Sequence, residues 1–260
     1  MWRICGTVGE DPGISCGTRN RLTTDERRIF LFPFFYYDPT FILLIPALLL
    51  ALYAQAKVNS TFQRYLRVQA SSGVSGAQAA RLLLDRNNLH HVPVEITRHH
   101  LGDHYDPRKK VLRLSPEVYH GRSLAALGVA AHETGHALQH AHAYIPLNIR
   151  NVIFPVASFG STLAFPLFFM GLIFQTGFLM DLGIILFTAA VLFQVITLPV
   201  EFNASSRALY MLESAGFLSR GAEIQGTRKV LSAAALTYLA ATAMAVMQLL
   251  RLLVLRSSRD

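Results

Sequence analysis

Long apolar runs free of charge alternate along the chain with polar stretches, and the alternation itself predicts the elements. A helix needs about 20 mostly apolar residues to cross a bilayer. Four runs approach that length: Pro39 to Ala56, a stretch within Asn151 to Met180, Leu182 to Val200, and Val230 to Leu250. The first contains Pro46 and has eighteen residues between Asp38 and Lys57, so it predicts a tilted or kinked helix. Gln194, Thr197, Thr237 and Gln248 lie inside the runs and suit contacts between packed helices. None of the runs carries an internal ionisable side chain, which argues against a transport path.

Between the first and second runs the pattern changes. Residues 75 to 88 have helical periodicity, with Ala79, Leu82, Leu83 and Leu84 forming an apolar face. Val92 to Thr97 alternates like a strand, and so does Lys110 to Leu114, with the turn formers Asp106 and Pro107 between them. This predicts a small hairpin or edge strand, followed by a long helix from Leu124 to His140. The predicted fold is a mainly α membrane protein of about four transmembrane helices, carrying a small α/β element. Its layout is a disordered tail over residues 1–33, a first span over 34–57 and a cytoplasmic region over 58–150. A transmembrane hairpin over 151–200, a second cytoplasmic segment over 201–229 and a last span over 230–256 complete it.

Composition sharpens this picture. Of 260 residues, 52% are hydrophobic and 15% charged, against roughly 25% charged in an average soluble domain. Neither a water-soluble globule nor a disordered chain has that balance. The net charge of +8 comes from scattered Lys and Arg, without the basic stripe and interleaved aromatics of a nucleic-acid groove. It suits an anionic membrane surface instead. With four spans, the two polar regions lie on one side and hold sixteen Lys and Arg, whereas the turn at about Gln175 to Asp181 holds none. The positive-inside rule therefore places both regions, and the site they carry, on the cytoplasmic face of the cell membrane. Five arginines before residue 29 and three after Leu250 oppose that orientation. Those first 28 residues lack the apolar core of a signal peptide. The aromatic stretch Phe30 to Tyr37 suits the headgroup level, and two cysteines, Cys5 and Cys16, are too few for a disulfide scaffold or a thiolate metal site.

All ten histidines fall between His90 and His142. Within the predicted long helix stands His132-Glu133-Thr134-Gly135-His136, an H-E-x-x-H arrangement. The i to i+4 spacing puts both imidazoles on one face, where they can converge on one zinc ion. Glu133 can then hold a water beside the metal and take its proton, while the metal lowers the pKa of that water to about 7. At this chain's His and Glu frequencies the pattern arises by chance in about one chain in a hundred. A catalytic zinc takes a third protein ligand and keeps a fourth position open. His142 has the spacing of a metzincin histidine but lacks the required glycine, since position 139 is Gln139. His140 lies about 12 Å along the axis from His132, too far for one ion. Glu201, two residues after Pro199, is better placed, although it could equally serve as an interfacial acid or a helix N-terminal charge.

Several stretches together resemble the YugP-like family of bacterial membrane zinc metallopeptidases: Tyr37-Asp38-Pro39-Thr40, Asp103-His104-Tyr105-Asp106-Pro107, Ala130-Ala131-His132-Glu133 with His136, and Leu198-Pro199-Val200-Glu201-Phe202-Asn203-Ala204-Ser205. The resemblance spans about Phe34 to Leu255. It implies that the small cytoplasmic α/β element is zincin-like and carries a gluzincin-like site similar to that of HtpX-type membrane endopeptidases, with one zinc per chain held by His132, His136 and Glu201 and with Glu133 as general base. Ser205 departs from that pattern, because those enzymes tend to carry an aspartate four residues after the ligand glutamate.

Peptide hydrolysis also needs a donor for the oxyanion of the tetrahedral intermediate. His104, Tyr105, Arg207 and Tyr210 are eligible, with His104 and Arg207 foremost. The pairs His90-His91 and His99-His100 read as solvated loop residues. The expected partners are a lipid bilayer and a protein or peptide substrate at or near the membrane. The sequence is silent on oligomeric state. The competing reading is a non-catalytic membrane chaperone or interaction protein stabilised by zinc, which would show a closed fourth ligand such as His104 or His140.

Overall fold

In the computed structural model, residues 39–98, 102–219 and 221–258 are described. The expectations for the N-terminal tail, its two cysteines, the Phe30 to Tyr37 stretch and the pair His99-His100 lie outside the described residues. From Thr40 onward the chain forms one compact unit.

Among the described residues, four helices are long and apolar enough to cross a membrane. The first opens as a 3-10 helix, Pro39–Leu44, and continues as α1, Ile45–Leu66. Pro46 falls in the first turn of α1, where the missing N–H costs no hydrogen bond, so it starts the α-helix and does not kink it. Helix α2, Gly76–Arg86, begins with a capping box in which Ser75 and Gln78 satisfy each other's backbone N–H groups. It buries Ala79, Leu83 and Leu84, but Leu82 is exposed.

The strands are β1, Val94–Ile96, β2, His104–Asp106, and β3, Val111–Leu114, in the order β1-β3-β2. The two predicted strands are therefore parallel neighbours, Val94 opposite Leu112, and not a hairpin. The antiparallel partner of β3 is β2, with Tyr105 opposite Leu112. Asp106 accepts from the N–H groups of Arg108 and Lys109, which closes the tight turn between β2 and β3. Those two bonds, with that of the Arg113 side chain, hold its carboxyl below the ordinary range against some burial.

A short α3, Pro116–Tyr119, leads into α4, Leu124–Ala141, whose N-cap Ser123 accepts from the N–H of Ala126. Next come α5, Ile145–Ile173, α6, Gly177–Ser214, and α7, Ala222–Ser257. Pro199 does not end a helix: α6 runs on through it, so Glu201 lies inside a 38-residue helix and not at its start. One apolar core unites α2, the sheet, α4 and the end of α6 through Leu83, Leu84, Leu112, Leu127 and Leu212, and it supports α4 from behind. A second, smaller core joins α5, α6 and α7 through Phe168, Phe187 and Leu252.

Candidate metal centre

On α4, His132 and His136 stand one turn apart and leave the helix on the same side. Their ring centroids are 4.8 Å apart and nearly perpendicular, at 88°. Glu201 of α6 reaches both: its Oε2 lies 3.3 Å from His132 Nε2 and 3.5 Å from His136 Nε2. One donor atom from each of the three falls within 4.8 Å of the others, the only such group among the described residues. The approach of α4 to α6 depends on Gly135, because a Cβ there would stand 2.9 Å from the Ala204 carbonyl oxygen.

Hydrogen bonds on the far edges of the rings decide what the near edges present. Gln139 is fully buried. Its Nε2 donates to the Val200 carbonyl at 2.8 Å and to Asn203 Oδ1 at 3.0 Å. This orients its Oε1 toward His136 Nδ1, 2.9 Å away. That oxygen can only accept, so Nδ1 carries the proton and Nε2 of the neutral ring offers a lone pair. Ser205 Oγ, 3.2 Å from His132 Nδ1, can hold the other ring in the same tautomer. Two lone pairs facing a carboxylate repel unless a cation joins them. Burial opposes a proton on His136, but the hydrogen bond to Glu201 and the nearby Glu133 charge outweigh it and raise its pKa. Two imidazole nitrogens and a carboxylate oxygen, already oriented by outer hydrogen bonds, are a donor set that suits zinc with one position left over.

Glu133 is buried beside this cluster. Its Oε2 accepts from the Tyr105 N–H of β2 at 2.9 Å, so strand β2, unrecognised in the sequence pattern, positions the carboxylate. Asp103 fixes the start of that strand by accepting from the Ser115 N–H at 2.7 Å and from its hydroxyl. Burial pushes the Asp103 carboxyl up against those bonds. A cavity of about 180 Å³ opens over the cluster, lined by Glu133, His136, Glu201, His104, Arg150 and Tyr238 among others.

The expected site residues thus divide. His104 lies on the cavity wall, with Nδ1 bonded to the Gly102 carbonyl at 2.7 Å. Arg207 does not line the cavity, and its Nε donates to Asn203 Oδ1 at 2.8 Å, which braces the partner of Gln139. Tyr210 is 74% exposed and lines a separate groove between α6 and α7. Burial raises the pKa of the Tyr105 phenol, which meets His140 Nδ1 at 2.9 Å. His142 caps α4, and neither it, His140 nor His104 joins the cluster. Among the cavity residues that escaped the sequence reading are Arg150 near the start of α5 and Tyr238 within α7. Their only signals were a lone cation ahead of the second apolar run and the one phenol inside the fourth.

A metal-capable cluster thus lies among four helices of membrane-spanning length. Residues 40–257 match the family model described as "Putative neutral zinc metallopeptidase", and the chain belongs to that family. It is 54% identical over 219 residues to the "Putative membrane protease YugP" of Bacillus subtilis (strain 168), covering 84% of this chain and 97% of that protein. The YugP-like resemblance expected from the motifs is borne out. No solved structure matches the chain.

Proposed function

We propose that this protein is an integral-membrane zinc metalloendopeptidase that hydrolyses peptide bonds of membrane or membrane-proximal proteins, with its gluzincin-like site on the cytoplasmic face of the cell membrane. The observation that carries the reading is the joint geometry of His132, His136 and Glu201 with Glu133 on the wall of the same cavity. Membership of the zinc metallopeptidase family supports it. When bound, zinc supplies Lewis acidity that activates a water and polarises the scissile carbonyl. His132, His136 and Glu201 would hold it, with Ser205 and Gln139 keeping the rings in the ligating tautomer.

Glu133 uses one oxygen to accept the Tyr105 N–H, which fixes its position, and its carboxylate takes the proton of the attacking water. It then delivers that proton to the leaving amine. Tyr238 and Arg150 are the donors on the cavity wall best suited to the oxyanion, with His104 as the third. Strand β2 lies at the edge of the sheet and can pair with an extended substrate chain.

The test is metal content and hydrolysis of a labelled unstructured protein by the purified full chain. Glu133→Gln is expected to keep one zinc and lose at least about a hundredfold in rate. Glu201→Ala is expected to lose both. Full zinc occupancy in Glu201→Ala would overturn the ligand set, and undiminished hydrolysis by Glu133→Gln would overturn the mechanism.

A further inference from the structure

Helices α1 and α7 run side by side and touch at Gly226, where a Cβ would meet the Tyr65 ring at 2.7 Å. Beside that contact is a cavity of about 520 Å³ between the two helices. Four cations line it, Lys57 and Arg64 from α1 and Arg228 and Lys229 from α7, together with Thr61 and Ser232. No acidic side chain lines it, and among the described residues none of the four pairs with a carboxylate. Its apolar wall is Ala233 and Leu236.

Two facts set this cluster apart from an ordinary solvated face. The first is its level. Lys57 ends the charge-free run of α1, and Lys229 immediately precedes that of α7, so the cations mark the height at which both helices enter apolar surroundings. The second is the contrast with the opposite end of the same helix pair. There Arg251 donates to Thr40 and lies over the Phe41 ring at 3.7 Å, and Arg256 donates to Asp181 at 2.8 Å. At that end the cations meet a hydroxyl, a ring and a carboxylate of the protein, whereas at the Lys57 end they surround a cavity, with Arg64 over the Tyr65 ring at 5.9 Å, and face no anion among the described residues.

We infer that this cavity binds the headgroup of an anionic phospholipid, with the phosphate among Lys57, Arg64, Arg228 and Lys229 and the acyl chains descending past Ala233 and Leu236. Basic pockets between spanning helices at the membrane surface have the chemistry for such headgroups, and hydroxyls such as Thr61 and Ser232 can donate to phosphate oxygens. The inference rests on the helices spanning a bilayer and is independent of the catalytic reading.

The experiment uses the full-length protein in a neutral detergent, titrated with dihexanoyl phosphatidylglycerol or dihexanoyl phosphatidylcholine and followed by native mass spectrometry. Wild type is expected to retain the glycerol lipid well above the choline lipid. The double variant Lys57→Gln/Arg228→Gln should bind it about tenfold to thirtyfold more weakly. The charge-preserving Lys57→Arg/Arg228→Lys should bind as wild type does, and its thermal melt guards against a folding artefact. Equal retention of both lipids, or unchanged binding by the neutral variant, overturns the inference. So does an equal loss in Arg108→Gln/Lys109→Gln, which would make the effect one of overall charge. Displacement of the lipid by inorganic phosphate at matching concentration would reassign the cavity to a free anion and overturn the lipid assignment. Zinc content and hydrolysis are measured on the same samples, so failure here is distinguishable from failure of the peptidase reading.

Discussion

The two apolar cores of this protein obey opposite solvents. Around α4, leucines at 83, 84, 112, 114, 124 and 127 are fully buried, as expected where water lies outside. Along the membrane-length helices many large side chains point outward, with Val152 76% and Phe159 72% exposed. Besides the small cluster of Phe168, Phe187 and Leu252, the contacts inside include backbone approaches at small residues. A Cβ at Gly183 would stand 2.7 Å from the Ala164 carbonyl oxygen, and one at Gly160 would stand 2.8 Å from that of Leu186. Where lipid replaces water, burying leucine between helices gains little, and close packing of small residues holds the helices together. The candidate metal centre sits where these two regimes meet, with two histidines from the water-type core and Glu201 from a spanning helix.

That junction gives the most damaging substitution. Gly135→Leu forces side-chain atoms into the Ala204 backbone and is expected to destabilise by about 4 kcal/mol or more and to abolish zinc binding, as read by thermal melting and metal analysis. Leu127→Ala, inside the water-type core, should cost about 2–5 kcal/mol in the same melt. Gln139→Leu leaves the His136 Nδ1–H without its acceptor, while Asn203 keeps Arg207, and zinc affinity should fall about 10-fold to 100-fold in a chelator competition. A milder effect is expected of pH. The raised pKa of His136 means that zinc must displace a proton, so affinity should fall as pH drops through that value and level off above it. Smallest of all is Phe159→Ala on the outward face, expected within about 0.5 kcal/mol in detergent. A large effect there would mean that Phe159 is covered by protein and not by lipid, and the two-solvent division would fail.

The spanning helices were legible because charge-free length is a property of consecutive residues. The placing of His132, Glu133 and His136 together on α4 was legible for a similar reason, since they lie about one helical turn apart. Strand β2 was not, because His104-Tyr105-Asp106 has too few residues to alternate and borders turn formers, and its identity comes from pairing with β3. Glu201 could be read as a helix N-terminal charge because it follows Pro199, yet α6 runs through that proline. Gln139 looked only like a missing glycine, because its partners Val200 and Asn203 are remote in sequence. Arg150 and Tyr238 were hidden for the same reason, since the cavity wall that unites them is assembled from two different spanning helices.

The separation between His136 and Glu201 has a consequence for biogenesis. Everything between them after α4 is the hairpin of α5 and α6, so a ribosome releases both histidines well before the glutamate that completes the set. A nascent chain therefore has two of the three donors until the hairpin has been inserted and folded back. Completion of the proposed donor set therefore waits, by chain order alone, on the synthesis and packing of α6.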